Sequence, residues 1–291
     1  MRGNPLLQVL LFVLLVLAAL AAGALLAYPA TLVFEEVPFS RLAERGSLLC
    51  GLLFSLWYLH RTMPVNVRAI GMTPPQGWLA GIVPAYIAGM AIMLVLAIGL
   101  WTLGLSHIDH SRDFTAAFFA SALLKGLAAG IGAGLIEEIL FRGALFSGLQ
   151  TRINAPSALV LTSLLYAAVH FLSYPEPSGG VHWYTGFLLL PAAMHELGEP
   201  AILDHFLTLF LLGVLLSLLR LRDGHIWRAF GVHAGIIMII KLDAYITNPS
   251  ASDSLGWLVS ETSARLGWLS AFWLLVLVIV YGLHCYRRQK S

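Results

Sequence analysis

The sequence predicts an all-α membrane protein of about eight transmembrane helices, and three observations carry that expectation. Hydrophobic residues make up 59% of the 291-residue chain and charged residues only 11%, with a mean hydropathy of +0.84. Soluble domains average about 45–50% apolar and roughly 25% charged, and a chain of this length has too little interior to hide the surplus. The second observation is length. Eight apolar segments, roughly 6–28, 46–62, 77–105, 115–139, 155–173, 201–219, 227–246 and 267–286, approach the ~20 residues that a bilayer requires. The third is periodicity: none of them alternates as a barrel strand does, so sheet is not expected.

The first segment follows Arg2 and runs well beyond the roughly 7–15 apolar residues of a signal peptide, so it reads as a retained helix. No long-period repeat or low-complexity linker interrupts the chain, and residues 1–291 read as one polytopic domain. The connection from Ser173 to Pro200 is rich in Pro, Gly and His and holds no Lys or Arg. A net charge of +2, with no basic run beyond Arg287, Arg288 and Lys290, excludes a nucleic-acid partner and leaves the lipid bilayer as the expected surroundings. Cys50 and Cys285 lie in or beside apolar segments and form no disulfide framework.

Of the 17 Lys and Arg, Lys125 and Lys241 fall within segments. With the amino terminus inside, the inner connections hold eleven of the rest, and the outer ones only Arg41, Arg45, Arg112 and Arg265. By the positive-inside rule both termini are cytoplasmic and the Ser173–Pro200 loop faces out. The compact loops favour a bacterial plasma membrane.

Charges at bilayer depth are costly, about 2.5–3.5 kcal/mol each on insertion scales, and so mark functional candidates. The stretch "GLIEEILFRGALF" places Glu137, Glu138 and Arg142 in an otherwise apolar segment. Glu138 and Arg142 are four residues apart with the acid first, which favours a pair on one helix face. Glu137 is turned about 100° away and has no such local partner. The fifth segment contains "LLYAAVHF". In a hairpin turning near Ile153, Glu137 and His170 are about equally far from the turn and so reach similar depth. "FGVHAGIIMIIK" brings His233 on the seventh segment. A glutamate and two histidines from three helices suit either of two hydrolytic chemistries. Carboxylate and imidazole activate a water while the second imidazole stabilises an oxyanion, or all three bind zinc.

"EEILFR" resembles the EExxxR signature of the CAAX prenyl endopeptidase and bacteriocin-processing (CPBP, ABI) family of glutamic intramembrane proteases. "YAAVH" is similar to that family's F-x-x-x-H motif, with Tyr166 for Phe, and "HAGII" to its H-x-x-x-N motif, with Ile237 for Asn. The three come in the family's order, over roughly 123–245 of a family-like core spanning about 115–246. The resemblance implies an endopeptidase without metal or other cofactor, acting on a membrane-associated peptide or protein near the membrane surface. It implies that Glu137 and His170 activate the water and His233 binds the oxyanion, with Glu138 and Arg142 in support. Ile237 cannot donate a hydrogen bond, so half of the implied oxyanion hole is missing. That gap favours the rival expectation of a transporter or immunity-type membrane protein on the same scaffold.

Other features read as structural. Gly126, Gly130 and Gly134 form a small-residue ladder for close helix packing. "SHIDHSRD" and "HELGEPAILDH" read as solvated or interfacial clusters, the second lacking the HExxH spacing. Lys241 and Asp243 read as a pair snorkelling to the interface, and Trp183, Trp227, Trp257 and Trp268 as interfacial belt. Against zinc, neither histidine has an acid nearby in sequence to orient it.

Overall fold

In the computed structural model, residues 5–62, 67–68, 70–250 and 254–290 are described. The chain is an all-α integral membrane protein. Its helices are α1 (Pro5–Thr31), α2 (Phe39–Thr62), α3 (Trp78–Thr102), α4 (Ala116–Glu137), α5 (Phe146–Gln150), α6 (Ala155–Val169), α7 (Thr185–Ala193), α8 (Leu203–Asp223), α9 (Trp227–Ile246) and α10 (Trp268–Lys290). Arg2 and the side chains of Arg288 and Lys290, on which part of the charge count rests, lie outside the described residues.

Among the described residues six helical stretches are long and apolar enough to span a bilayer. The expected second and fifth helices form but fall short, for different reasons. Helix α2 starts seven residues earlier than expected and takes in Arg41, Glu44 and Arg45. Helix α6 has 15 residues, about 22 Å at 1.5 Å per residue, against a hydrocarbon core of ~30 Å. It starts cleanly, with Asn154 accepting a hydrogen bond from the Ser157 amide and Pro156 in the first turn. It ends at Val169, with His170 as its C-cap, too short to reach the far side of the membrane. Irregular backbone at such depth needs cover from protein, and the following segment has it: Phe171 and Tyr174 are buried, and the Tyr174 hydroxyl donates to the Leu20 carbonyl at 2.9 Å. Helix α7, unforeseen in the long loop, lies on α1, with Gly186 against Ala24.

The expected fourth segment is longer than its apolar stretch. Helix α4, capped by the Thr115 hydroxyl, continues through a π-helical stretch, Glu138–Leu145, into α5. Such wider turns are rare and often occur at functional sites. They change which side chains share a face, and the periodicity of an α-helix gives no hint of them. One correction concerns sheet. Strands β1 (Ser106–Ile108) and β2 (Thr247–Pro249) pair antiparallel, closing the ends of α3 and α9 together.

Helices α8 and α9 form the centre, with 61% and 56% of their spans buried against 17–28% for the other four. The outer helices present exposed Leu10, Leu14, Leu94, Ile98, Leu124 and Val280, the surface that lipid covers. Helix α9 is gripped from two sides at backbone contact. A Cβ at Gly89 would come within 2.0 Å of the Val232 carbonyl oxygen, one at Gly235 within 2.1 Å of the Tyr86 oxygen, and one at Gly130 within 2.5 Å of the Ala234 oxygen. The expected glycine ladder therefore packs α4 on α9, and a second set of glycines packs α3 on its other side. In a bilayer, where burial of apolar surface gives helices little reason to associate, such close approach is a main source of stability.

The other polar residues meet different fates. Asp243 pairs with Arg265 rather than with Lys241, which is exposed. The expected Lys241–Asp243 pair is wrong because the loop before α10 brings a cation that sequence distance hid. Asp109 is held by the Ser111 amide and hydroxyl and by Arg112, which keep its carboxyl below the usual range and commit it to its own turn. Asp204 is buried, accepting from the Ser260 hydroxyl at 2.7 Å, and is not the solvated acid expected. Trp183 and Trp257 are exposed as a belt requires, whereas the Trp227 indole donates to the Met72 carbonyl.

Gly235→Ala is expected to lower stability by about 1–3 kcal/mol, because a backbone oxygen stands where the methyl would go. Thermal unfolding in detergent measures it. A melting temperature equal to that of the wild type would show that α3 and α9 separate freely.

Candidate active site

The site begins with Glu138 and Arg142, both with fully buried side chains, joined Nη1 to Oε1 at 2.9 Å. The Arg142 Nη2 donates to the Gly213 carbonyl at 3.3 Å on α8, and its guanidinium lies 4.4 Å from the Tyr166 ring centre on α6. Neither charge is abandoned, which is the condition for burying them at all. The expected pair is therefore present, and it does more than neutralise itself. The Glu138 Oε1 that binds Arg142 also accepts from His233 Nδ1 at 3.0 Å. Sequence reasoning missed this bond because it crosses from the π-helical stretch to α9, 95 residues away.

The structure brings Glu137, His170 and His233 together. Glu137 Oε2 lies 3.7 Å from His170 Nε2 and 3.7 Å from His233 Nε2. At that separation neither contact is a hydrogen bond, and Glu137 Oε2 has no hydrogen-bond partner among the described residues. The spacing suits a bridging water. Access is graded: side-chain exposure is 28% for His170, 15% for Glu137 and 3% for His233.

The ring orientations follow from the far nitrogens. His170 Nδ1 lies 2.7 Å from the Tyr166 carbonyl oxygen, which can only accept, so Nδ1 carries the proton and Nε2 turns to Glu137. The same logic fixes His233, whose Nδ1 faces the Glu138 carboxylate. These two acceptors correct the argument that the histidines lack orienting partners. One is supplied by the backbone one turn back on the same helix, the other by Glu138.

Tyr166 is a third addition. It is buried at 1% exposure, its ring meets Phe141 edge-on with centres 5.2 Å apart, and its hydroxyl lies 3.3 Å from His233 Nε2. Its place four residues before His170, hence on the same helix face, was the available signal. Ile237 lines the cleft beside it and offers no donor.

Two apolar clefts meet at this cluster. One, about 850 Å³, lies among α1, α2 and α6 and is lined by Val16, Leu20, Leu48 and Phe141 together with Glu137 and His170. The other, about 880 Å³, lies among α3, α8, α9 and α10 and is lined by Met93, Leu96, Leu212 and Trp273, again with Glu137 and His170. The polar atoms are thus concentrated where the two clefts meet.

The model of the family described as type II CAAX prenyl endopeptidase Rce1-like matches residues 119–239. No curated protein and no solved structure matches the chain. The matched stretch takes in Glu137, Glu138, Arg142, His170 and His233, and over it this chain is similar to the type II CAAX prenyl endopeptidases.

Proposed function

We propose that the protein is an intramembrane endopeptidase in which Glu137 and His170 activate a water and His233 stabilises the oxyanion. The observation that carries this reading is the buried Glu137 Oε2, 3.7 Å from the Nε2 atoms of two imidazoles whose Nδ1 atoms are separately held. A water between Glu137 Oε2 and His170 Nε2 donates to both acceptors and keeps a lone pair for attack. As its oxygen bonds to the peptide carbonyl carbon, its proton passes to this pair. His233, with Nε2 protonated, donates to the developing oxyanion, a role that a preorganised donor in a dry site fills at little reorganisation cost. Collapse of the tetrahedral intermediate breaks the C–N bond, and the proton held by Glu137 and His170 leaves on the amine. One water and one peptide bond give one acid and one amine.

Glu138 and Arg142 are positioning residues in this scheme. The apolar clefts beside the cluster suit a membrane-associated peptide, and a C-terminal segment with an attached prenyl chain is the substrate class that the family description favours. The charge count assigns both termini to the cytoplasmic face, and the compact loops favour a bacterial plasma membrane.

The two acids are expected to separate on mutation. Glu137→Gln keeps the shape, removes the base and abolishes cleavage of a dye–quencher peptide ending in a farnesylated CAAX sequence, while the melting temperature stays near that of the wild type. Arg142→Ala takes the guanidinium from Glu138, leaving it His233 as its one remaining donor, and costs roughly 3–5 kcal/mol of stability. Equal losses of folded protein in both variants would refute this division. Cleavage that survives Glu137→Gln, or is absent in the wild type for prenylated and unprenylated peptides alike, would leave the cluster a binding site of the transporter or immunity kind.

A zinc reading gains one observation, since both histidines do have partners that orient them. The ligand spacing weighs the other way. Bonds of about 2.0–2.1 Å set tetrahedral ligand atoms about 3.3 Å apart, closer than the 3.7 Å found, and His233 Nε2 already faces the Tyr166 hydroxyl. The purified protein is therefore expected to lack stoichiometric zinc and to keep its activity in chelators, as metal analysis and assay would show. One equivalent of zinc, with activity lost on its removal and regained on its return, would make this a metalloprotease.

A further inference from the structure

We infer that the Tyr166 hydroxyl is the second oxyanion donor of this site, doing the work that a side-chain amide at position 237 would otherwise do. The inference rests on the peptidase reading above. Three observations support it. On α9, Ile237 stands one turn beyond His233 on the wall of the cleft, and its side chain has nothing to donate. On α6, the Tyr166 hydroxyl lies 3.3 Å from His233 Nε2, the atom assigned to the oxyanion, and the residue lines the same cleft. A substrate oxygen arriving beside them meets the fixed His233 Nε2–H, and the Tyr166 hydroxyl hydrogen swings about its C–O bond to donate to the same oxygen while the heavy atoms of both side chains stay in place.

The third observation is rigidity. A preorganised donor must not move when charge develops, and Tyr166 is fixed at several points. Phe141 packs edge-on to its ring, Arg142 lies over one face at 4.4 Å, and its own carbonyl accepts from His170 Nδ1. An apolar side chain at this position would fill the same volume and carry the same backbone carbonyl. The hydroxyl is the one feature of Tyr166 that packing does not require, and it points at the reacting centre. Its acidic proton is buried with it, so it donates without the competition of bulk water.

Tyr166→Phe tests this directly, because it removes one oxygen and keeps the ring contacts. With the farnesylated CAAX dye–quencher peptide, kcat is expected to fall about 100-fold, with KM and melting temperature little changed. Adding Ile237→Asn to Tyr166→Phe is expected to recover at least tenfold of that loss, since an amide one turn from His233 restores a donor to the same oxygen. A third variant guards against a purely structural effect: 3,5-difluorotyrosine at position 166 makes the phenol more acidic and keeps its size. In that variant kcat is expected to fall with rising pH over a range where the wild type is unaffected, because only the protonated hydroxyl donates. Wild-type kcat in Tyr166→Phe, or a pH profile unchanged by the fluorinated residue, would overturn the inference. Glu137→Gln run alongside separates the two failures. If it is inactive while Tyr166→Phe is fully active, only the tyrosine assignment falls; if it cleaves normally, the peptidase mechanism falls first.

Discussion

The buried ion pair between Glu138 and Arg142 is the constraint from which the rest of the site hangs. A guanidinium with no exposed surface requires compensating partners, and those of its two terminal nitrogens and its ring-facing side come from separate parts of the chain, while its Nε has none among the described residues. Glu138 is one turn back, the Gly213 carbonyl is on α8 and the Tyr166 ring is on α6. His233 on α9 reaches the same Glu138 oxygen. Four elements therefore meet around one charge pair. Gly213 shows how tightly: a Cβ there would lie 3.0 Å from that of Ser163, so α6 and α8 touch at the point where Arg142 bonds to the backbone. Removing the pair would release the helices that aim both imidazoles.

Two glutamates adjacent in sequence end in opposite circumstances. The Glu138 side chain has no exposure and its Oε1 serves two donors, whereas Glu137 keeps 15% exposure and its Oε2 meets no donor within bonding distance. The π-helical stretch begins at Glu138, directly after Glu137. Glu137 thus leaves the regular α-helix facing the clefts while Glu138 turns inward. The change of helix type thus separates the acid committed to the buried ion pair from the one that faces the clefts, which is the acid that the proposed mechanism uses.

The sequence made much of this legible, and the reasons differ by residue. Glu137, Glu138, Arg142, His170 and His233 stood out because charge in an apolar run is expensive, so its presence needs a cause. The Glu138–Arg142 contact was readable because it is local, and the Glu137–His170 meeting because a hairpin relates depth to sequence distance. What stayed hidden depends on contacts between distant segments or on departures from ideal geometry. The His233–Glu138 bond, the Asp243–Arg265 pair and the seat of α7 on α1 all join residues whose proximity no periodicity encodes. The π-helical stretch is invisible to a pattern based on 3.6 residues per turn. Helix α6 looked longer in the sequence because "HFLS" continues its apolar run, although the helix itself ends at Val169.

The two imidazoles also differ in a way that sorts their chemistry. Both are held by Nδ1, and both present Nε2 to Glu137, so geometry alone makes them near equivalents. Their acceptors are not equivalent. His170 donates to a neutral carbonyl, whereas His233 donates to a carboxylate. An anionic acceptor stabilises an imidazolium better than a neutral one does, so a proton required at one of the two Nε2 atoms is better placed on His233. In the proposed mechanism His170, more exposed and with a neutral partner, is the acceptor of the water proton. The hydrolysis proposed above needs one acceptor and one donor around the scissile carbonyl, and the difference between a backbone oxygen and a glutamate oxygen is consistent with that asymmetry.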